Sequence, residues 1–128
     1  MAKKILIVDD EPKNLKLMHD LLQMNGYDTV EAVDGEQGVT LATITKPDLI
    51  LMDIMMPKMD GLEATRIIKA GETTKNVPII ALTSFAMDGD RERILSAGCD
   101  GYITKPVNIH ELLKTVENYC QKVLTSQK

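Results

Sequence analysis

Four apolar, strand-like runs of the sequence are each followed by side chains that could hold a metal ion or a phosphoryl group. In chain order these side chains are an acidic pair, a lone carboxylate, a hydroxyl and an amine: Asp9 and Asp10, Asp53, Thr83, and Lys105. Carboxylates held close together repel one another, each close pair by on the order of 4 kcal/mol at an effective dielectric constant near 20. A divalent cation would offset that repulsion, and Mg²⁺ typically binds one or two carboxylates together with water and phosphate oxygens. The adjacent acids Asp9 and Asp10 are the better metal ligands.

Asp53 is the best candidate for a nucleophile among these carboxylates. It follows a run typical of an inner strand and precedes a loop with Pro57 and Gly61, which would leave it accessible. A carboxylate can attack phosphorus and form an acyl phosphate. The transferred group carries charge on three equatorial oxygens, so catalysis depends mainly on positioning and charge neutralisation. Mg²⁺, the Lys105 ammonium and the Thr83 hydroxyl, or nearby backbone N–H groups, could each contact one of these oxygens.

Strand-like and helix-like segments alternate along the chain, which predicts an α/β fold. The predicted strands are residues 4–8, 27–32, 49–52, 78–82 and 101–103. The first, third and fourth are continuous apolar runs, as in parallel strands covered on both faces. The predicted helices run from Pro12 to a stop at Gly26, over 37–45, 62–70 and 90–97, and from an Asn108 cap onward. Five β–α units indicate a doubly wound, five-stranded parallel sheet, in which ligands bind beyond the carboxyl ends of the strands.

Four of the five helix patterns carry apolar side chains that are predicted to be buried. They are Leu15, Met18 and Leu22; Leu62, Ile67 and Ile68; Ile94, Leu95 and Ala97; and Ile109, Leu112, Leu113, Val116 and Val123. A length of 128 residues suits one domain. We expect residues 1–128 to form that domain, with a core from about residue 3 to residue 123 and no output domain.

Composition and charge argue against several kinds of function. The net charge of −4 disfavours a nucleic-acid partner, which would require a basic face. No apolar run approaches the roughly 18 residues of a membrane span, and the N-terminus lacks a secretory pattern, so a cytoplasmic protein is expected. Cys99 and Cys120 are too few for a disulfide framework or a zinc site and are expected to be reduced. His19 and His110 have no partner at ligand spacing.

Taken together, these motifs resemble the receiver domain of bacterial two-component response regulators over essentially the whole chain. The matching segments are residues 7–11 (IVDDE), 48–57 (DLILMDIMMP), 59–61 (MDG), 79–83 (IIALT), 97–102 (AGCDGY) and 104–106 (TKP). The resemblance implies the flavodoxin-like or CheY-like fold with strand order 2-1-3-4-5. Residues 83–90 and 105–107 are similar to single-domain receivers of the DivK type and to the receivers of hybrid kinases.

The resemblance implies a role for each residue of the predicted site. Asp53 would be the phosphoacceptor. Asp9, Asp10 and Asp53, with the backbone carbonyl of Met55, would bind Mg²⁺, for which Mn²⁺ can substitute. Lys105 would contact the phosphoryl group.

A conformational switch is also implied by the resemblance. Lys105 would be followed by a cis peptide bond to Pro106, the residue type at which the cis form costs least. Thr83 and Tyr102 would form the switch pair, in which the hydroxyl moves to a phosphoryl oxygen and the aromatic ring turns inward. The candidate residues of the interaction surface are Phe85, Met87, Tyr102 and Val107.

The implied function is that of a stand-alone response regulator, and no enzyme activity on a metabolite is expected. The protein would accept a phosphoryl group from a phosphohistidine of a histidine kinase or histidine phosphotransfer protein. It would then bind a downstream protein target, or return the group within a phosphorelay or a cell-cycle or polarity circuit. We expect a monomer or a weak, phosphorylation-dependent dimer, without membrane insertion or nucleic-acid binding.

Two alternatives stay open, and a third is disfavoured. The chain could be a docking module that works without phosphorylation, or a receiver fragment of a hybrid kinase. A phosphohydrolase that forms an aspartyl phosphate would need a second acid two residues after its nucleophile. Met55 stands at that position, which argues against hydrolysis of metabolites.

Overall fold

Strands and helices alternate in the computed structural model, which describes residues 2–56, 59–84 and 88–125. The strands are β1 (Lys4–Val8), β2 (Asp28–Ala32), β3 (Leu49–Asp53), β4 (Ile79–Thr83) and β5 (Gly101–Thr104). The helices are α1 (Pro12–Met24), α2 (Gly35–Thr45), α3 (Gly61–Ala70), α4 (Asp88–Ser96) and α5 (Ile109–Thr125). Each strand is thus followed by one helix, as the sequence predicts.

The strands form one parallel sheet in the order β2-β1-β3-β4-β5. The chain first moves outward from β1 to β2 and then crosses to β3 on the other side of β1. The direction of winding therefore reverses between β1 and β3, and ligands of such sheets bind outside the carboxyl ends of the strands at that point. The predicted fold class and strand order are confirmed.

Both faces of the sheet are covered, and alternate strand residues enter two separate apolar layers. Leu6 and Ile50 belong to the layer packed against α2, α3 and α4, which we call the α2–α4 layer. Ile7 and Leu51 belong to the layer packed against α1 and α5, which we call the α1/α5 layer. Burial of each Leu or Ile side chain contributes about 1.5–3 kcal/mol. This is the physical reason why continuous apolar runs form the central strands.

The ends of the helices follow the capping signals of the sequence. Pro12 is the first residue of α1, where its missing N–H has no intrahelical partner to lose. Gly26 follows α1 with a positive φ of 89°, a conformation that glycine adopts without strain. The Asn108 side chain accepts a hydrogen bond of 3.0 Å from the backbone N–H of Glu111 and thereby caps α5, as predicted.

Several predicted boundaries are wrong by one or two residues. Strand β2 begins one residue later than predicted, and β3 extends through Asp53. Helix α2 begins at Gly35, two residues early, because the Asp34 carboxylate caps it by accepting a hydrogen bond of 2.8 Å from the backbone N–H of Gln37. Helix α4 begins at Asp88 and so also starts two residues early.

Three side chains predicted to face the core are exposed. Ile67, Leu95 and Ile109 are 42%, 45% and 46% exposed, whereas Ile68 and Ile94 are each 1% exposed. Adjacent residues of a helix point about 100° apart, so Ile67 and Leu95 point away from the face on which their neighbours Ile68 and Ile94 are buried. Ile109 is the first residue of α5. Even with these exposed side chains, no helix in the described part of the chain is long and apolar enough to cross a bilayer.

Candidate functional site

The carboxyl ends of four strands bring the predicted site residues to one edge of the sheet. Asp9 follows β1, Asp53 ends β3, Thr83 ends β4 and Lys105 follows β5. The parallel register keeps these ends level, since Asp53 lies opposite the residue that precedes Thr83. Residues far apart in sequence therefore meet because of the topology of the sheet.

Three carboxylates form an acidic cluster at this edge. One oxygen atom from each of Asp9, Asp10 and Asp53 lies within 4.8 Å of the other two. Asp9 is fully buried and Asp53 is 2% exposed, whereas Asp10 is exposed to solvent. Two of the three charges are thus shielded from water, which makes their mutual repulsion stronger than it would be at the surface.

In the described part of the chain, Asp9 is the carboxylate of the cluster that has a buried oxygen without a hydrogen-bond partner. Its Oδ1 accepts a hydrogen bond of 2.9 Å from the backbone N–H of Glu11. Its Oδ2 is buried and has no hydrogen-bond partner among the described residues. Burial raises the pKa of Asp9 to about 6, the hydrogen bond from Glu11 opposes this rise, and the nearby charge of Asp53 adds to it. A cation beside Oδ2 would satisfy the oxygen and offset the repulsion.

Both oxygens of the Asp53 carboxylate have polar partners. The Lys105 ammonium lies 3.1 Å from Oδ2, and the backbone N–H of Met55 donates a hydrogen bond of 3.0 Å to Oδ1. The Lys105 side chain is 21% exposed, so this ion pair is largely desolvated. The two contacts fix the orientation of the carboxylate, and the ammonium stabilises negative charge on and around it.

The two residues predicted to form a switch differ in burial. Thr83 is fully buried at the end of β4. Tyr102 lies on β5, is partly buried and packs against the α2–α4 layer. Thr83 is joined to the site through the sheet, because the backbone N–H of Lys105 donates a hydrogen bond of 2.6 Å to its carbonyl oxygen. Tyr102 lies opposite Ala81, two residues before Thr83. Movement of either residue stays a prediction.

The segment after β5 has the predicted backbone conformation. The peptide bond between Lys105 and Pro106 is cis. Val107 is partly buried and packs against the α1/α5 layer. The other two predicted interaction residues, Phe85 and Met87, lie outside the described residues.

Gly61 supports the site in a way that the sequence did not reveal. A Cβ atom at Gly61 would lie 2.3 Å from the backbone carbonyl oxygen of Asp53, closer than real Cβ atoms approach. The backbone N–H of Gly61 also donates a hydrogen bond of 3.2 Å to the carbonyl oxygen of Ile54. The start of α3 therefore lies directly against the backbone of the acceptor strand. The glycine in the Asp-Gly dipeptide was the available signal, but its contact partner was not predictable.

An apolar groove between α1 and α5 was also not predicted. It has a volume of about 210 Å³, and Asp9 and Lys105 line it as well as the acidic site. The groove is also lined by Asn14, Leu17, Met18, Leu21, Leu82, Pro106, Val107, Ile109 and Leu112. Leu17 in this lining is a large apolar side chain, yet it is 55% exposed. We call this feature the α1/α5 groove.

The cysteines and histidines lie apart from the acidic cluster. Cys99 and Cys120 are buried free cysteines, and burial raises the pKa of both thiols. His19 contacts the Thr29 hydroxyl, and its Nδ1 lies 3.8 Å from the Glu31 carboxylate. These contacts join α1 to the edge strand β2 and are ordinary packing contacts between neighbouring elements.

Comparison with known proteins identifies the family. The model of the response regulator receiver domain matches residues 5–117, and the chain belongs to this family. It is 43% identical to the polar-differentiation response regulator DivK of Brucella ovis over 119 residues, which cover 93% of this chain and 97% of the relative.

Solved structures agree with this result. The chemotaxis protein CheY4 of Vibrio cholerae has a TM-score of 0.89 at 29% identity, over 93% of this chain and 99% of the other. The receiver domain of a sensor histidine kinase from Pseudomonas aeruginosa, with a magnesium ion coordinated in its active-site cleft, has a TM-score of 0.87 at 40% identity. That match covers 94% of this chain and 98% of the other.

Membership of this family indicates the general function of the protein and the kind of ion that its members bind. Response regulator receivers are signalling proteins that bind Mg²⁺ at an acidic pocket, and this chain has an acidic cluster of Asp9, Asp10 and Asp53 at the strand ends. The residues present fit a hard cation, because they offer oxygen ligands and one buried oxygen that lacks a partner. The resemblance described from the sequence is thus confirmed at the level of family and fold.

Proposed function

We propose that the chain is a stand-alone response regulator that accepts a phosphoryl group on Asp53. The observation that carries this proposal is the environment of the Asp53 carboxylate. It lies 3.1 Å from the Lys105 ammonium, and one of its oxygens is within 4.8 Å of a carboxylate oxygen of both Asp9 and Asp10. A nucleophile, a cationic partner and a set of metal ligands thus occupy one edge of the sheet, which is the equipment that phosphoryl transfer to a carboxylate requires.

Mg²⁺ would be held by Asp9, Asp10, Asp53 and the backbone carbonyl of Met55, and Mn²⁺ would substitute for it. When bound, the ion neutralises charge on the carboxylates and on the incoming phosphoryl group. The buried Oδ2 of Asp9 supports this assignment, because an unpartnered carboxylate oxygen is costly without a cation.

The protein residues then have distinct tasks in the transfer. An oxygen of Asp53 attacks phosphorus while the bond to the donor breaks. Lys105 neutralises charge on an equatorial oxygen of the transferred group, and it is already placed at Asp53 before the donor arrives. The Thr83 hydroxyl would bind another equatorial oxygen once the group is in place.

The new group would be read through Thr83 and Tyr102. Phosphorylation adds a charge of about −2 and three strong acceptors at the strand ends. A shift of the Thr83 hydroxyl toward this group would leave space for the Tyr102 ring to move further inward. The surface of α4, β5 and α5, with Phe85, Met87, Tyr102 and Val107, would then bind the downstream protein.

The donor would dock on the α1/α5 groove. A phosphohistidine must reach a carboxylate that is only 2% exposed, so the donor has to bind beside the site. The groove adjoins the site through Asp9 and Lys105 and offers the exposed side chains of Leu17 and Ile109. Such a surface suits an amphipathic helix of a histidine kinase or histidine phosphotransfer protein.

The similarity to DivK supports an inference about the wider setting of this function. DivK of Brucella ovis is named a polar-differentiation regulator, and we infer a comparable cell-cycle or polarity role for this chain. The protein would be cytoplasmic, and residues 1–128 would form a single receiver domain. It would act as a monomer or weak phosphorylation-dependent dimer, without membrane insertion or nucleic-acid binding.

Mass spectrometry of the intact protein tests the proposal. After incubation with Mg²⁺ and acetyl phosphate, we expect a single phosphoryl adduct that is absent in Asp53→Ala and in the presence of EDTA. Asp20→Ala is the matched control, because Asp20 is an exposed acid on α1 away from the site. A folded protein without any adduct would favour a docking module that works without phosphorylation.

A further inference from the structure

Asn14 is a polar residue of the α1/α5 groove to which the proposed function gives no task. The polar residues in the groove lining are Asp9, Asn14 and Lys105. Asp9 is accounted for by the metal site, and Lys105 by the acceptor carboxylate. Asn14 is partly buried on the first turn of α1, the helix that directly follows Asp9 and Asp10.

The local structure does not explain an asparagine at this position. The third residue of a helix often accepts a hydrogen bond from the backbone N–H of the N-cap residue, which here is Glu11. That N–H instead donates to Asp9 Oδ1 at 2.9 Å. The Asn14 amide makes no hydrogen bond within the part of the chain that the structure describes. Asparagine is also a weaker helix former than alanine or leucine.

The geometry of phosphoryl transfer places the donor ring near Asn14. In-line displacement puts the leaving nitrogen on the far side of phosphorus from the attacking oxygen of Asp53. Because Asp53 is buried, the leaving imidazole must lie at the mouth of the site, where Asp9 and Lys105 border the groove. The second ring nitrogen is then removed from water and needs a hydrogen-bond partner.

We propose that Asn14 holds the imidazole of the phosphohistidine donor, with its side-chain Oδ1 accepting a hydrogen bond from the second ring nitrogen. This inference rests on the proposed function. In the transfer the Asp53 oxygen bonds to phosphorus, the phosphorus–nitrogen bond breaks, and its electron pair stays on the leaving nitrogen. When the second nitrogen carries a proton, the ring leaves as neutral imidazole, and Asn14 favours that protonated donor. Asn14 is thus a residue that selects donors with an imidazole leaving group.

Two small phosphoryl donors distinguish a contact between Asn14 and the imidazole from a general effect of Asn14 on phosphoryl transfer. Phosphoimidazole has the proposed contact group, whereas acetyl phosphate lacks it. For Asn14→Leu, which keeps the approximate size and removes the amide, we expect the second-order rate constant with phosphoimidazole to fall about three- to tenfold, the effect of one lost hydrogen bond. The rate constant with acetyl phosphate should stay within about twofold. Lys16→Ala, on the exposed face of the same helix, should change neither.

The outcomes are distinguishable. An equal fall with both donors, or no fall with either, would overturn the role of Asn14 while leaving the proposed function intact. Absence of phosphorylation of the unchanged protein by both donors would instead overturn the proposed function.

A second measurement does not depend on a folded variant or on turnover. Imidazole added to the unchanged protein should shift the side-chain amide signal of Asn14 in nuclear magnetic resonance spectra, with the exposed amide of Gln23 as the reference signal. An Asn14 signal that moves no more than that of Gln23 would contradict the contact.

Discussion

At the scale of single residues, the chain concentrates charge where water is nearly absent. Asp53 and Asp9 are buried, and the Lys105 ammonium lies 3.1 Å from Oδ2 of Asp53. An ion pair with little solvent around it has a larger effect on a reaction than an exposed pair, because screening is weak. Lys105 is therefore expected to act on the chemistry at Asp53 more than on the stability of the fold.

Lys105→Ala tests that expectation. The variant should be phosphorylated by acetyl phosphate about 100-fold more slowly than the unchanged protein, the size of effect seen when one preorganised charge-stabilising group is removed. The rate of adduct formation by mass spectrometry gives the measurement, with Lys16→Ala as the control for loss of an exposed lysine. A rate within threefold of the unchanged protein would show that Lys105 is dispensable for the transfer.

At the scale of elements, the contact between β3 and α3 fixes the acceptor strand. The Cβ position of Gly61 lies 2.3 Å from the Asp53 carbonyl oxygen, so α3 can begin there only with glycine. The Asp60 carboxylate also caps α3 by accepting a hydrogen bond of 2.8 Å from the backbone N–H of Glu63. The start of α3 thus connects the position of the helix to the position of the acceptor.

Gly61→Ala is expected to impair both stability and phosphorylation. Displacement of α3 from β3 should lower the free energy of unfolding by about 1–3 kcal/mol, as in other overpacked sites. It should also slow phosphorylation by acetyl phosphate, because Asp53 moves relative to Lys105. Urea denaturation and adduct formation measure the two effects. Arg66→Ala on the exposed side of α3 should show neither, and an unimpaired Gly61→Ala would disprove the steric argument.

Elements were predictable from the sequence where a single physical signal dominated. Strands β1, β3 and β4 were predicted because their continuous apolar runs are typical of parallel strands covered on both faces. Neighbouring apolar residues such as Ile67 and Ile68 left the buried face of a helix ambiguous, and the less suited residue is exposed. The α1/α5 groove could not be predicted, because Leu17 and Ile109 meet across it only after the two helices pack.

At the scale of the whole molecule, the acidic cluster lowers the stability of the fold when no cation is present. Folding raises the pKa of Asp9 from 3.8 to about 6, so the folded protein binds more protons than the unfolded chain between these pH values. The contribution of Asp9 to stability therefore falls as the pH rises through this interval. At neutral pH the loss amounts to up to about 3 kcal/mol, since one pKa unit corresponds to about 1.4 kcal/mol.

Asp9→Asn should remove this pH dependence. In EDTA at pH 7.5 we expect the variant to be more stable than the unchanged protein, and at pH 4 the difference should shrink. Mg²⁺ should stabilise the unchanged protein more than the variant, because the variant lacks one acid of the site. Urea denaturation at both pH values, with and without Mg²⁺, measures these differences, and Asp28→Asn is the control for an exposed acid. Identical pH dependence in Asp9→Asn and the unchanged protein would refute the linkage.

The proposed donor site and the proposed readout surface lie only partly on different sides of the sheet. The α1/α5 groove opens on the side of the α1/α5 layer, whereas Tyr102 packs against the α2–α4 layer. A donor seated in the groove would leave Tyr102 uncovered but would cover Val107, the other described residue proposed for readout. Donor and target would therefore compete for part of the same surface, and the donor would have to leave before the target binds completely.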